Sequence, residues 1–374
     1  MTTVTRTGPG NSLTDVPGLR VGHATLAGDG WLTGVTVVLA GPDGAVGGVD
    51  VRGGGPGTRE TDLLDPRNAV ERVNAIVLGG GSAYGLAAAH GVMTRLAALH
   101  RGFKMGPEPS HVVPIVPAAI LFDLGRGGVF GNYPGPEAGA AAVEAALSLA
   151  QNDSGPAGTV GAGTGAVAGQ LKGGVGSASE VLFDGTVTVA ALAAVNSIGA
   201  VTDPRTGLLY GAAFGLPGEF DWLAAPSAAD LGAHSAWLRT RARGDEPGPA
   251  RDGEPRPLNT TIGVVATSAS LTKAQCAKLA GVAHDGIARA IVPAHSMFDG
   301  DTVFALSTGA GPAGPEPAGD GSAVAPRQFH AILTAAANCF TRAVVHAVLS
   351  ATSVTTPAGN WPSYLDLFPS ADRR

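Results

Sequence analysis

In this 374-residue sequence, the junction Asn259-Thr260 is where residue type and surroundings best suit chemistry. Before it runs the polar, proline-rich stretch 241–258; after it, Ile262-Gly263-Val264-Val265-Ala266 reads as a buried strand. A threonine at the mouth of a buried strand, just past a segment that cannot pack, suits a precursor that cuts itself. Breaking the bond before Thr260 would make it an N-terminus. Its hydroxyl is then the nucleophile and its own α-amine the base. Downstream, Phe298-Asp299-Gly300-Asp301-Thr302 sets two carboxylates around a glycine at a strand entry. One can orient the threonine amine while the other tunes its pKa. Each feature alone also has a plain reading: a linker that ends in Asn-Thr, and a solvated Asp-Gly turn.

Upstream lies GAGTGAVAGQLKGG (161–174), in which Lys172 is the one charged residue. Glycine-rich backbone can approach a ligand closely and offer N–H donors to an oxyanion. Lys172 could lower the pKa of a neighbouring amine or stabilise negative charge; a loop lysine could equally point to water. Asn196 sits in the apolar run 190–201, where a buried amide must find hydrogen bonds. It could donate to an oxyanion or cap a strand end. Other signals weaken. GGGSAYG (79–85) follows a strand and opens a helix, but its glycines do not fit G-x-G-x-x-G, and Tyr84 spoils G-x-S-x-G. The nine histidines are scattered without cysteine pairing, which argues against a metal site.

These residues need a scaffold. With 44% hydrophobic and only 14% charged residues, the chain can bury a large core. Its 57 glycines and 27 prolines are interleaved with apolar runs, so they read as tight turns, not disorder. A net charge of −6 without a basic patch argues against nucleic acid as partner. No apolar run suggests a membrane span, and MTTVTRTGPG lacks the apolar stretch of a secretory leader, so a cytoplasmic location is expected. Cys276 and Cys339, in apolar helical patterns, read as small core residues in a reducing compartment.

Strands are expected at 34–40, 75–78, 112–124, 260–266 and 302–306, with 186–201 ambiguous but strand-like at its start. Helices are expected at 84–99, 137–150, 271–291 with Ser270 as N-cap, and 327–350. Two Gly/Pro-rich breaks, 241–258 and 308–326, interrupt the pattern, the second as a surface loop. Nearly continuous apolar strands with long apolar helix faces fit an α/β fold of sheets covered by helices, a layered αββα arrangement.

Seven blocks in order carry a family resemblance. They are NSLTDVPGLRVGHATL (11–26), GVDVRGGGPGTRETDLLDP (48–66), LGGGSAYGLAAAHGV (78–92), VPIVPAAILFDLG (113–125), the 161–179 block, NTTIGVVATSASLTKAQCAKLA (259–280) and ARAIVPAHSMFDGDTVFALSTG (288–309). Over most of its length the chain resembles the DmpA-type aminopeptidases and the related nylon-oligomer hydrolases. The resemblance implies a single αββα sandwich over 1–374, similar to N-terminal-nucleophile hydrolases. It implies self-cleavage between Asn259 and Thr260 into a large chain, 1–259, and a small chain, 260–374. A mobile pre-cleavage linker, 241–258, and a homotetramer of cleaved pairs are also expected. By motif position Lys172 and Asn196 match the family's catalytic lysine and asparagine, and Tyr133 a catalytic tyrosine. Thr260 with Asp299-Gly300-Asp301 looks most like the nylon-oligomer branch, which uses threonine where the aminopeptidases use serine. The implied activity is cofactor-independent hydrolysis of linear oligo-amides such as 6-aminohexanoate oligomers. The alternative is an L-aminopeptidase/D-esterase or β-aminopeptidase acting on small peptides. Acetyl transfer to an amino acid is a third enzyme class, and an inactive scaffold a fourth reading.

Overall fold

In the computed structural model, residues 5–243, 259–311 and 324–374 are described. In chain order the strands of its two large sheets are β1 (Arg20–Gly28), β2 (Trp31–Leu39), β3 (Ala45–Val51), β4 (Gly57–Arg59), β5 (Arg72–Val73), β6 (Ala75–Gly79), β7 (Ala118–Ile120), β8 (Gly174–Leu182), β9 (Val187–Asn196), β10 (Thr260–Thr267) and β11 (Thr302–Ser307). The longer helices are α1 (Ala88–Ala98), α2 (Pro136–Ser148), α3 (Ala228–Arg243), α4 (Lys273–Ala290) and α5 (Pro326–Leu349). One sheet has five strands in the order β1-β2-β6-β7-β4; the other has six, β8-β9-β10-β11-β3-β5.

Alternation along the strands sorts their side chains into three apolar layers. Val21, Val38, Ile76 and Leu78 of the first sheet meet Leu192, Ile262, Val264 and Phe304 of the second between the two sheets. The opposite face of the first sheet, with Val35, Val37 and Val77, packs on Val92 and Leu96 of α1 and Ala142 and Val143 of α2. The opposite face of the second, with Ala191, Val265 and Val303, packs on Leu279 and Ile287 of α4 and Phe340 and Val344 of α5. This is the expected αββα layering. Close approach sets one detail: a Cβ on Gly263 of β10 would lie 2.6 Å from Phe340 Cζ, so the α5 ring fills the place of a side chain.

Four local expectations are corrected. Residues 112–124 do not form one strand; only Val112–Val113 and Ala118–Ile120 pair. Pro114 and Pro117 offer no N–H to a ladder there. The helix expected over 84–99 is split: a single helical turn, Ser82–Gly85, precedes α1 (Ala88–Ala98). The N-cap of α4 is Thr272, not Ser270: Thr272 Oγ1 accepts from Gln275 N at 3.2 Å and Gln275 Oε1 from Thr272 N at 2.9 Å, a reciprocal capping box. Finally, α5 is long and apolar enough to cross a membrane, yet 72% of its apolar window is buried inside the fold, as in a core helix. The ambiguous run 186–201 resolves as strand β9, since both faces of its Ala-rich sequence are covered. Cys276 and Cys339 are free and buried, and burial pushes their thiols up, Cys276 to about 12. Most of 241–258 and of 308–326 lies outside the described residues.

Candidate active site

Thr260 opens β10 and is opposite Asn196, the last residue of β9, in an antiparallel register. Directly paired residues project to the same face, here the face shared with Ile262 and Val264, between the two sheets. Thr261 falls on the other face, with Val265 toward the helices. Strand alternation therefore separates two adjacent threonines that look alike in the sequence. Thr260 is 3% exposed.

The Asn259-Thr260 peptide is held on the 298–300 turn. Asn259 N donates to Phe298 O at 2.8 Å, and Gly300 N to Asn259 O at 3.0 Å. Thr260 Oγ1 donates to Asn259 O and accepts from Gly300 N at 3.1 Å. The hydroxyl thus lies against the carbonyl of the preceding residue, and a backbone N–H points at the same oxygen. A side chain on Gly300 would come within 2.9 Å of Thr260 Oγ1 and 2.6 Å of Gly55 O, so glycine is required.

Both acids of the Asp-Gly-Asp turn are buried here. Asp301 Oδ1 accepts from Thr261 N at 2.7 Å; its Oδ2 accepts from His295 N at 3.1 Å and His295 Nδ1 at 2.8 Å. Asp299 Oδ1 accepts from Ile198 N at 3.2 Å, while its Oδ2 takes Ser296 N and Ser296 Oγ. Burial raises the Asp299 carboxyl above its ordinary range; the Ser296 hydrogen bond opposes this, and the neighbouring Asp301 charge adds to it. The His295 ring meets His284 edge-on, centroids 4.8 Å apart. Burial holds His284 down to about 4, neutral at physiological pH. The glycine run 53–55 clamps this turn: Gly53 N donates to Asp301 O at 3.2 Å and Gly55 N to Asp299 O at 3.0 Å. Sequence reading missed both this clamp and His295. Their signals were the Gly-Gly-Gly-Pro run and a histidine six residues before Asp301.

Lys172 is fully buried, not a lysine pointing to water. Its ammonium donates to Gly163 O at 2.8 Å, Ala166 O at 2.8 Å and Gly173 O at 2.7 Å. Burial, aided by nearby Arg126, drives its pKa well below the ordinary lysine value, with Asp123 opposing. Three carbonyl partners nevertheless require three N–H donors, which is the protonated form. Those bonds fold the 163–173 loop around the ammonium. That loop in turn touches Asn196, because Val167 N donates to Asn196 Oδ1 at 3.0 Å. Arg126 Nη1 also donates to Asn196 Oδ1, and Asn196 Nδ2 donates to Phe122 O at 3.1 Å. Asp123, buried beside them, accepts from Gly81 N at 2.7 Å, and burial pushes its carboxyl up to about 6.

The fold therefore brings Thr260, Asn196, Asp299 and Asp301 to one end of the six-stranded sheet, with Lys172 one loop away. Tyr133 stands apart from their hydrogen bonds: it stacks on Tyr84, centroids 5.1 Å apart, and both rings are partly exposed. Among the described residues no group of three His, Cys, Asp or Glu side chains could hold a metal ion.

Two facing sheets packed against helices on both outer sides place the chain in the class of folds similar to the N-terminal-nucleophile hydrolases. The structure of the L-aminopeptidase D-Ala-esterase/amidase from Ochrobactrum anthropi, itself described as a variant of that fold, superposes with a TM-score of 0.64. Identity is 23%, and the match covers 96% of this chain and 92% of that one. The chain belongs to peptidase family S58, whose model matches residues 11–361. A Mycobacterium tuberculosis protein described as an uncharacterized aminopeptidase is 50% identical over 371 residues, 96% of this chain and 99% of that one. The 6-aminohexanoate-oligomer endohydrolase of Kocuria sp. is 29% identical over 301 residues, 79% of this chain and 74% of that one. The nylon-oligomer branch is thus a more distant relative than the threonine and Asp-Gly-Asp pattern suggested.

Proposed function

We propose that this chain cuts itself between Asn259 and Thr260 and then acts as an N-terminal-threonine aminopeptidase on small peptides and related amides. The observation that carries the reading is the contact of Thr260 Oγ1 with the Asn259 carbonyl, with Gly300 N–H on the same oxygen. The 50% identity to a protein described as an aminopeptidase supports that substrate class over nylon-type oligomers. In maturation Thr260 Oγ bonds to the Asn259 carbonyl carbon, and Gly300 N–H holds the oxygen as it becomes negative. The C–N bond then breaks, the Thr260 nitrogen takes the proton, and water opens the resulting ester. The products are 1–259, ending in a carboxylate, and 260–374, beginning with a free amine.

In turnover the Thr260 amine takes the hydroxyl proton and the oxygen attacks the substrate carbonyl. Asn196 and backbone N–H groups stabilise the oxyanion. Asp299 and Asp301 orient the amine. Lys172 holds the glycine-rich loop and sets the local positive charge, while Tyr133 with Tyr84 lines the approach. The leaving amine departs with a proton, and water hydrolyses the acyl-enzyme. This chemistry needs no cofactor. Cleaved pairs assemble as a homotetramer in the cytoplasm. Cleavage of linear oligo-amides is the second reading, favoured by Thr260 with Asp299-Gly300-Asp301.

Intact mass under denaturing conditions tests the first stage. Two chains, the smaller beginning at Thr260, are expected, and Thr260→Ala should remain a single folded, inactive 36.9 kDa chain. Normal processing in that variant would sink the proposal. Amino-acid anilides with free and acetylated amines, compared with 6-aminohexanoate oligomers, then separate the two substrate readings.

A further inference from the structure

Asn196 has an amide whose two ends are chemically unlike, and its orientation decides whether it can serve an oxyanion. A carboxamide presents either its oxygen or its NH₂ to a given point. Here the oxygen accepts from two donors, Val167 N at 3.0 Å and Arg126 Nη1, while Nδ2 donates to Phe122 O at 3.1 Å. Turning the amide over would set NH₂ against two N–H donors and oxygen against a carbonyl, so only one orientation satisfies the surroundings. That orientation leaves one Nδ2 proton without a partner among the described residues, on a residue in register with Thr260. It is the proton an oxyanion would take.

We propose that Arg126 is the positioning residue that locks the Asn196 amide with its N–H toward the reacting carbonyl. Arg126 is built for this. Its Nη1 uses both protons, one on Asn196 Oδ1 and one on Gly165 O at 2.6 Å, so one nitrogen ties the amide to the glycine-rich loop. Its backbone is fixed as well: Arg126 N donates to Asp123 O at 3.2 Å, and Arg126 O accepts from Thr356 Oγ1 at 2.6 Å, across to the C-terminal part of the chain. Burial lowers the guanidinium only to about 10, with Asp123 opposing, so it stays charged at neutral pH. A charged donor makes the stronger hydrogen bond and holds the amide oxygen against rotation. Lysine would not reproduce the arrangement, because an ammonium is a point donor without the planar fork. Arg126 itself acts through Asn196.

The inference rests on the proposed role of Asn196 as oxyanion donor, and the test separates the two. Arg126→Met, Arg126→Lys, Asn196→Ala and the Met/Ala double variant are compared with the parent chain in two assays. One is turnover of alanine p-nitroanilide. The other is the rate at which newly synthesised chain is cut, read by mass. Arg126→Met should lower kcat about 10- to 100-fold with KM within about twofold, and slow cutting less, because Gly300 N–H serves the oxyanion of that step. In the Asn196→Ala background the same change should cost less than about twofold, because its target is gone. Arg126→Lys should melt close to the parent yet lose kcat. Additive losses in the double variant, or an Arg126→Lys chain with parental rates, would overturn the positioning role while leaving Asn196 as donor. Parental rates for Asn196→Ala would instead overturn the donor role and this inference with it. An active Thr260→Ala would overturn the nucleophile assignment alone.

Discussion

At the scale of residues, Thr260, Asn196, Asp299, Asp301 and Lys172 are buried polar side chains that each make hydrogen bonds. That matters because an unpaired buried group costs about 1–3 kcal/mol. Asp301 shows the consequence. Its two oxygens accept three N–H groups, one from Thr261 and two from His295. Asparagine there would turn part of that acceptor surface into a donor facing donors and remove the carboxylate proposed to orient the threonine amine. Asp301→Asn is expected to slow both self-cleavage and turnover by about 10- to 100-fold, the usual weight of a positioned acid or base. Thermal stability should fall by only about 1–3 kcal/mol. Timed intact mass and a thermal melt of the same preparation separate the two effects. An Asp301→Asn chain that matures at the parental rate would remove Asp301 from the machinery.

At the scale of elements, β10 is buried on both faces and packs close to α5. Gly263 lets α5 approach, with Phe340 over it. Gly263→Ala would drive a methyl into that ring and against Leu192 O of β9, 2.5 Å away, and overpacking costs about 1–3 kcal/mol. Phe340→Ala would open a cavity and cost about 3–5 kcal/mol. In the double variant the two changes are complementary, so their costs should not add. Denaturant unfolding of the four proteins checks this; strict additivity would show that the ring and the glycine are not coupled.

At the scale of the whole molecule, the proposed cut does not divide the fold. In the six-stranded sheet, β10 and β11 from 260–374 lie between β9 and β3 from 1–259. The two pieces would share one core and remain associated in native solution. A buried ionic clasp adds to this. Glu219 Oε2 accepts from Arg342 Nε at 2.6 Å, and its Oε1 from Arg342 Nη2 at 2.8 Å, with His346 Nε2 at 2.7 Å. Burial alone would raise the Glu219 carboxyl, but the His346 and Arg342 hydrogen bonds outweigh it and hold it well below its usual 4.5. A folded pKa below the unfolded one stabilises above the unfolded value, and that contribution is lost as pH falls through the folded one. Melting followed down from about pH 7 should therefore stay level until about pH 4.5 and show a progressive loss below it. Glu219→Gln should flatten it and cost about 3–5 kcal/mol at neutral pH by leaving Arg342 buried without its charge partner. An unchanged acid profile in Glu219→Gln would place the titrating group elsewhere.

Much of this was legible in one dimension. Periodicity marked β10, β11, α2 and α5 within a few residues, because their apolar faces are continuous and their ends carry proline or polar breaks. Motif order pointed to the family and to Thr260, Asn196, Asp299, Asp301 and Lys172, since each is a polar residue where apolar neighbours make it conspicuous. The 112–124 run misled because apolar content says nothing of N–H groups missing at Pro114 and Pro117. Arg126 and the 53–55 glycine clamp were not read, for their partners lie far along the chain: Arg126 meets Asn196, 70 residues away, and Gly53 meets Asp301. His295 lies only six residues from Asp301, but that spacing by itself does not show that the two side chains meet. Sequence by itself determined which residue types were available and which segments had to be strand or helix. Only the tertiary structure decided which threonine faces the space between the two sheets, which way the Asn196 amide points and which carbonyls the Lys172 ammonium meets. Those depend on strand register and on groups converging from separate segments, which local pattern does not encode.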